Sequence, residues 1–398
     1  MADIFTTACF WLALALFAAV LAYHLKTSIA LVEICAGVLA GFFFERYIGF
    51  DFLKTNDEWL KFLASAGAVM LTFLAGAELE PAVLRSKMKE VITVGTISFF
   101  MPFAGCAAIA YFVLGWSSQS SLLAGVALSC TSVAVVYAVM LETGLNKTEF
   151  GKGILASCFV TDLGTVLALS LIFSPFTYKT LIFAGVSVLS LLLLPYITYG
   201  LTKVYAYRTA AVRTKWVILV LFGLGALALW SGSEAVLPAY LVGMALAGAA
   251  ARDGFWIRRL RTLTIGFLTP FYFIRVGTLV SLPAVAAAPL VFILLLAGKI
   301  LTKVFGLYPA IAPFRKDKRE RWYYTMMMSP GLTFGTIAAV YGHTHGIVSR
   351  GQYSFLVSVI IASAVVPTLI ANAVFLPKHL IPKEKDVHLD ADNGEGLG

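Results

Sequence analysis

Asp162 stands near the centre of an apolar run, 150–172, that is long enough to span a bilayer. A carboxylate at that depth costs roughly 2.5 to 3.5 kcal/mol on insertion scales, so it either pins neighbouring helices or serves an ion or a proton. On a helix, Cys158, Asp162 and Thr165 share one face by i+4 and i+3 spacing, Ser157 and Thr161 flank it, and Gly153 and Gly164 let a neighbouring backbone come close. The oxygens of such a patch can replace the hydration shell of Na+ or K+, and the same carboxylate can hold a proton instead.

Two other runs carry residues that interrupt a helix. Ser129-Cys-Thr-Ser-Val-Ala-Val-Val136 sets four small or hydroxyl residues inside the run 120–142, and Ser329-Pro-Gly-Leu-Thr-Phe-Gly335 sets a proline and a glycine inside the run 320–342. Proline removes a helical hydrogen bond and clashes with the preceding turn, and glycine frees the backbone. The sequence therefore predicts breaks at 131–133, around Thr131 and Ser132, and at 329–332, around Ser329, Pro330 and Gly331. Half-helix ends at the membrane centre offer carbonyls to a cation and partial positive charge at their N-termini. Lys299, inside the run 284–308, is a positive charge that can balance a carboxylate or a half-helix C-terminus.

The elements that must position these residues follow from composition. Of the 398 residues 60% are hydrophobic and 13% charged, and mean hydropathy is +0.89. That composition excludes a water-soluble domain and predicts an all-α polytopic membrane protein. Apolar runs lie at 5–23, 29–45, 59–79, 91–114, 120–142, 150–172, 178–201, 213–231, 234–250, 262–280, 284–308, 320–342 and 352–375, about 13 transmembrane helices. The first lacks a basic flank and a cleavage site, so it is expected to be retained. Most of the 30 Lys and Arg residues fall in odd-numbered loops and after the last run, with Lys303 counted to the eleventh loop. Arg46, Lys54, Lys61, Lys179 and Arg350 lie on the other side. This bias predicts the N-terminus outside and the C-terminus in the cytoplasm, with no nucleic-acid role for the net charge of +9.

Helices seven apart echo one another. Ala36-Gly-Val-Leu-Ala-Gly41 matches Gly243-Met-Ala-Leu-Ala-Gly248, and Gly76-Ala-Glu-Leu-Glu-Pro-Ala-Val83 matches Gly277-Thr-Leu-Val-Ser-Leu-Pro-Ala-Val285. An odd offset reverses orientation, so the expectation is inverted repeats with two crossed broken helices. Arg275 is expected either to snorkel to the outer interface or to pair with an acid, and Glu33 to lie at the cytoplasmic interface. The basic connector 310–320 is expected to be an ordinary cytoplasmic loop, and residues 377–398 a disordered tail. The five cysteines read as small core residues, not disulfides or metal ligands, and no nucleophile-and-base or His-rich pattern suggests an enzyme or a cofactor.

At these residues the chain resembles the monovalent cation:proton antiporter superfamily, in the branch of bacterial sodium/proton and potassium-efflux antiporters. The resemblance spans nearly all of residues 5–375. It rests on Gly67-Ala-Val-Met-Leu-Thr-Phe-Leu-Ala-Gly-Ala-Glu-Leu-Glu80, Cys130-Thr-Ser-Val-Ala134, Phe159-Val-Thr-Asp162, Thr269-Pro-Phe-Tyr-Phe-Ile-Arg-Val-Gly277, Ala297-Gly-Lys299 and Ser329-Pro-Gly-Leu-Thr-Phe-Gly335. It implies a core domain moving like an elevator against a scaffold domain, in a homodimer. By motif, Asp162 is similar to the family's ion-binding aspartate, Thr131 and Ser132 to the broken-helix ligands, with Thr161 and Cys158 beside them. Lys299 is similar to its basic residue and Glu78 to a supporting acid. Thr161 stands where sodium-specific relatives commonly carry Asp or Asn and potassium-efflux relatives Gln. The expected scaffold is 1–90 and 176–282, and the expected core 91–175 and 283–376. The expected activity is exchange of Na+ or K+ for H+, one for one, with cation and proton competing for Asp162. The alternative is a proton-uncoupled or ligand-gated potassium channel or facilitator. Potassium-efflux relatives often carry a cytoplasmic nucleotide-binding domain, so a separate cytoplasmic regulatory subunit is a further expected partner besides the bilayer.

Overall fold

The computed structural model describes residues 2–25, 28–47, 53–77, 86–145, 148–173, 177–205, 211–233 and 235–381. Glu78 and most of the expected tail, 382–398, lie outside the described residues. Within them all regular structure is helical. The chain runs through α1 (Ala2–Leu25), α2 (Ile29–Tyr47), α3 (Glu58–Ala77), α4 (Met88–Ala108), α5 (Ser118–Ser129), α6 (Val133–Thr143), α7 (Glu149–Phe173), α8 (Tyr178–Tyr205) and α9 (Val212–Trp230). It continues through α10 (Val236–Arg252), α11 (Gly254–Leu263), α12 (Thr269–Thr278), α13 (Leu282–Ala287), α14 (Pro289–Ile311), α15 (Lys318–Met327), α16 (Thr333–Thr344) and α17 (Arg350–Ile370). Among the described residues eight helices are long and apolar enough to cross a membrane, α1, α3, α4, α7, α8, α9, α14 and α17, while α2 and α10 are apolar but shorter.

The run 262–280, expected as one span, is helical without a break from 254 to 278, with one π-helical turn inside it. Amphipathic α11 passes into a π-helical turn, Thr264–Leu268, before α12 begins with Pro270 in its first turn. The runs with internal breakers, by contrast, are interrupted. Residues 130–132 separate α5 from α6, and residues 328–332 separate α15 from α16. The first gap falls one residue before the expected 131–133, because the Ser132 hydroxyl accepts from Val135 N at 3.4 Å and Val133 already belongs to the helix it caps.

Glycine sets two close helix crossings. Gly277 of α12 lies against Ile34 O and Val38 N of α2, and Gly76 of α3 lies against Tyr240 O and Met244 N of α10. The partners are four residues apart in both cases. Reciprocally, Gly37 faces Ile274 O and Gly243 faces Phe73 O. A Cβ at any of these four sites would overlap backbone, so only glycine permits the approach. A second group forms around α4, which packs against α5, α7 and α14, while α16 packs on α5 and α17. Three tyrosines join the groups: Tyr240 donates to Phe159 O at 2.9 Å, Tyr353 donates to Val276 O at 2.8 Å, and Tyr272 pairs with the Thr336 hydroxyl at 3.1 Å. The opposite face of α8 leaves Leu181, Leu192 and Tyr196 exposed, an apolar surface suited to lipid.

The basic connector is more tied down than an ordinary loop. Arg315 donates from Nε and Nη2 to the two Glu90 carboxylate oxygens at 2.9 and 3.1 Å, and its guanidinium lies 5.2 Å from the Phe150 ring centre. Cys106, Cys130 and Cys158 are buried and unpaired as expected, whereas Cys9 is exposed and Cys35 half-buried. Neither of the last two is a core residue, because α1 and α2 turn those positions outward.

Candidate cation site

The two chain breaks touch. Ser132 N donates to Pro330 O at 2.6 Å, and the Thr131 hydroxyl donates to Met328 O at 2.9 Å. Each break thus satisfies polar backbone groups that the other exposes, which membrane interior demands in the absence of water. Ser329 returns its hydroxyl to Thr325 O at 3.1 Å, and Gly331 N donates to Ser363 Oγ at 3.4 Å. Gly331 is small because Lys299 Nζ and the Cys130 carbonyl fill the space where a Cβ would stand.

Asp162 occupies the middle of α7, is 1% exposed, and has no hydrogen-bond partner for either carboxylate oxygen. It lies at the foot of a cleft of about 470 Å³ that also reaches Val133 and Tyr137 of α6 and Thr333 and Phe334 of α16. The first turns of both half-helices therefore face the carboxylate, and their partial positive charge favours an anion there. The remaining patch residues spend their hydrogens on the backbone. Thr161 donates toward Gly95 O and Ser157 O at 3.2 and 3.1 Å, and Thr165 donates to Thr161 O at 3.1 Å. A hydroxyl that donates this way keeps its oxygen lone pairs. Cys158 Sγ donates to Met328 Sδ at 3.6 Å, which fastens α7 to the second break.

Two buried lysines one turn apart on α14 reach the breaks. Lys299 Nζ has no hydrogen-bond partner and lies beside Cys130 and Gly331. Lys303 donates to Ser98 Oγ at 2.7 Å and Thr131 Oγ1 at 2.9 Å. The loop count misplaces Lys303: it is fully buried within α14. A basic residue near the end of an apolar run reads as a flank, and the signal that could have found it is its i+4 spacing from Lys299. Both ammonium groups stand where α5 and α15 present their C-terminal ends, so each can balance exposed carbonyl charge.

Two expectations for charged residues are corrected. Among the described residues no acid pairs with Arg275, and it is partly buried instead of snorkelling; its Nε donates to Thr55 O at 3.0 Å, holding α12 to the segment before α3. Glu33 is not interfacial but 2% exposed, because α2 turns it inward toward the same cleft as Asp162. A second cleft of about 540 Å³ runs between Asn56, Lys61, Arg275, Val340 and His343, and does not reach Asp162. Ile337 of α16 lines both clefts and closes the space between them. Of the supporting residues expected from sequence, Glu78 lies outside the described residues. No group of three or more His, Cys, Asp or Glu residues suited to a metal occurs among the described residues.

Comparison with known proteins gives a consistent picture. A family profile described as "Sodium/hydrogen exchanger, transmembrane" matches residues 12–376. The chain is 25% identical over 356 residues to a "Probable Na(+)/H(+) antiporter 3" of Methanocaldococcus jannaschii, covering 86% of this chain and 90% of that protein. It is 24% identical over 299 residues to the "Glutathione-regulated potassium-efflux system protein KefC" of Escherichia coli, covering 72% of this chain. It spans about half, 47%, of that relative's length. The fold is similar to the structure of the sodium proton antiporter MjNhaP1 from Methanocaldococcus jannaschii, with a TM-score of 0.71 at 15% identity over 96% of this chain and 100% of the other.

Proposed function

This chain belongs to the sodium/hydrogen exchanger family, and from that premise we propose that it is a secondary active transporter exchanging a monovalent cation, Na+ or K+, for protons. The observation that carries the reading is Asp162: a buried carboxylate with both oxygens unpartnered, at the foot of an open cleft and opposite two half-helix N-termini. A buried carboxylate without a hydrogen-bond partner must be balanced by a cation or a proton, and an access path lets either arrive. Each loaded form is neutral, so competition for this one group couples the two flows and gives one-for-one exchange. Lys299 opens one alternative count, since its ammonium also lacks a hydrogen-bond partner and could release a proton when a cation binds.

The proposed movement is an elevator. The core, 91–175 and 283–376, carries Asp162 and both breaks, and slides against a scaffold made of 1–90 and 176–282. What supports it is the seam: one cleft reaches Asp162 from the side of Ser28 and Arg261, the other stops short of it on the side of Asn56 and His343. With the orientation expected from loop charges, this is the cytoplasm-facing state of a protein with 13 spans and its N-terminus outside. The matched crossings of Gly277 and Gly76 support inverted repeats, since their contacts recur with a constant shift in each partner helix. Pairing as a homodimer, with the scaffolds in contact, belongs to the same reading.

The test is cation-induced pH change in everted vesicles, with Na+, Li+, K+ and Rb+ added separately. The proposal expects Na+ or K+ added outside to enter the vesicles in exchange for lumenal protons and so to alkalinise the interior; cation uptake with no proton movement would instead indicate a channel. A second expectation concerns the breaks. Thr131→Val removes the acceptor of Lys303 and the bond to Met328 O, so it raises the cation concentration for half-maximal exchange and destabilises by about 1–3 kcal/mol. Ser132→Ala removes only the weak cap of α6, so its stability cost is about 1 kcal/mol and its transport effect, also a rise in that concentration, reports the loss of an oxygen ligand. Unchanged cation dependence in both variants would remove these hydroxyls from the site.

A further inference from the structure

The cleft holds a second carboxylate that the exchange scheme above does not use. Glu33 lies in the second turn of α2, is 2% exposed, and its Oε2 has no hydrogen-bond partner. It lines the same cleft as Asp162, together with Ser28, Ala30, Thr72 and Arg261. Thr72 offers it no hydrogen, since that hydroxyl donates to Ala68 O at 2.7 Å. We propose that Glu33 forms a second, transient monovalent-cation site in this cleft, from which the ion passes to Asp162.

The chemistry follows from placement. Glu33 stands near the Ser28 end of the cleft, while Asp162 is set deep in α7. A buried carboxylate oxygen that meets no donor is completed by a cation shedding part of its shell, or by a proton in its place. An ion held there has already entered the cleft, which raises its local concentration at Asp162. Because α2 belongs to the group of helices opposite the one carrying Asp162, Glu33 stays with its cleft when the core moves. The site is therefore one-sided: it serves ions arriving through this cleft and not those arriving through the cleft of Asn56 and His343.

This inference rests on the proposed exchange, and the experiment separates the two. Na+ or K+ dependence of exchange is measured in everted and in right-side-out vesicles for the parent protein, Glu33→Gln and Glu33→Asp. The proposal expects Glu33→Gln to raise the half-maximal cation concentration roughly five-fold from the cleft's own side, the size of losing one partly solvated charge contact. The maximal rate and the value from the other side stay as in the parent. Glu33→Asp, which keeps the charge but withdraws it by one methylene, gives a smaller rise of about two-fold from the cleft's own side and parent values from the other. An equal rise on both sides, an unchanged value in Glu33→Gln, or a fall in maximal rate alone overturns the Glu33 site while exchange by the parent protein still stands. If Glu33→Gln cannot be recovered folded, Glu33→Asp decides: a one-sided change of two-fold or more, from moving the carboxylate back by one methylene, supports the site, and parent values on both sides overturn it. Absence of exchange in the parent protein would overturn the reading beneath both.

Discussion

Asp162→Asn abolishes cation-dependent proton movement and leaves the protein folded. The amide keeps the size and shape of the carboxyl group but supplies no charge to an ion and takes up no proton at usable pH, so both substrates lose their shared group. The expected fall is to the background of empty liposomes. Folding is spared for a reason visible in the structure: neither carboxylate oxygen has a hydrogen-bond partner, so no bond is lost, and a buried charge is removed. The amide brings two donors that also need partners, which offsets part of that gain. The melting temperature of the purified variant is therefore expected within a few degrees of the parent. Robust exchange in the variant, measured beside a parent control, would end the assignment of Asp162.

Gly277→Val and Gly76→Val should each destabilise the protein by at least about 3 kcal/mol, at the upper end of what overpacking costs. The added Cβ at Gly277 would stand on Ile34 O and Val38 N, and that at Gly76 on Tyr240 O and Met244 N. Backbone cannot move aside as a side-chain tip can, so the crossing helices must separate. Gly200→Ala in α8 is the control, because nothing lies within 4 Å of a Cβ there. It should be neutral or slightly stabilising, as alanine favours helix over glycine by about 1 kcal/mol. Thermal melts in detergent, with the yield of monodisperse protein, compare the three. Equal stability of Gly277→Val and Gly200→Ala would contradict the close crossing.

Both of these residues were legible in the sequence, for different reasons. Asp162 stands out because a charge in the middle of an apolar run has a cost that must be met. Gly277 stands out only through its match to Gly76, a pattern of letters. The register of the other match was off by one: the letters align Ala36 with Gly243, whereas the contacts make Gly37 the counterpart of Gly243. Register there is decided by which Cα faces the crossing helix, and small residues on either side of a glycine do not reveal it. The break at Pro330 could be read from backbone chemistry alone, while the one at Thr131 has no proline and its edge depended on a cap. Lys303 and Glu33 were hidden by one ambiguity, since a charge near the end of an apolar run looks the same whether it snorkels outward or turns inward. Only the neighbouring helices decide, Ser98 and Thr131 for the lysine and the cleft wall for the glutamate.

The central claim is that cation and proton share one carboxylate. Purified protein in liposomes, driven by a cation gradient at several fixed pH values on the side where the cation binds, tests it most directly. If both occupy Asp162, lowering the pH raises the half-maximal cation concentration in proportion to proton activity, and saturating cation restores the same maximal rate at each pH. A half-maximal concentration independent of pH, with the maximal rate alone changing, would mean that proton and cation bind at separate groups, and would contradict the account.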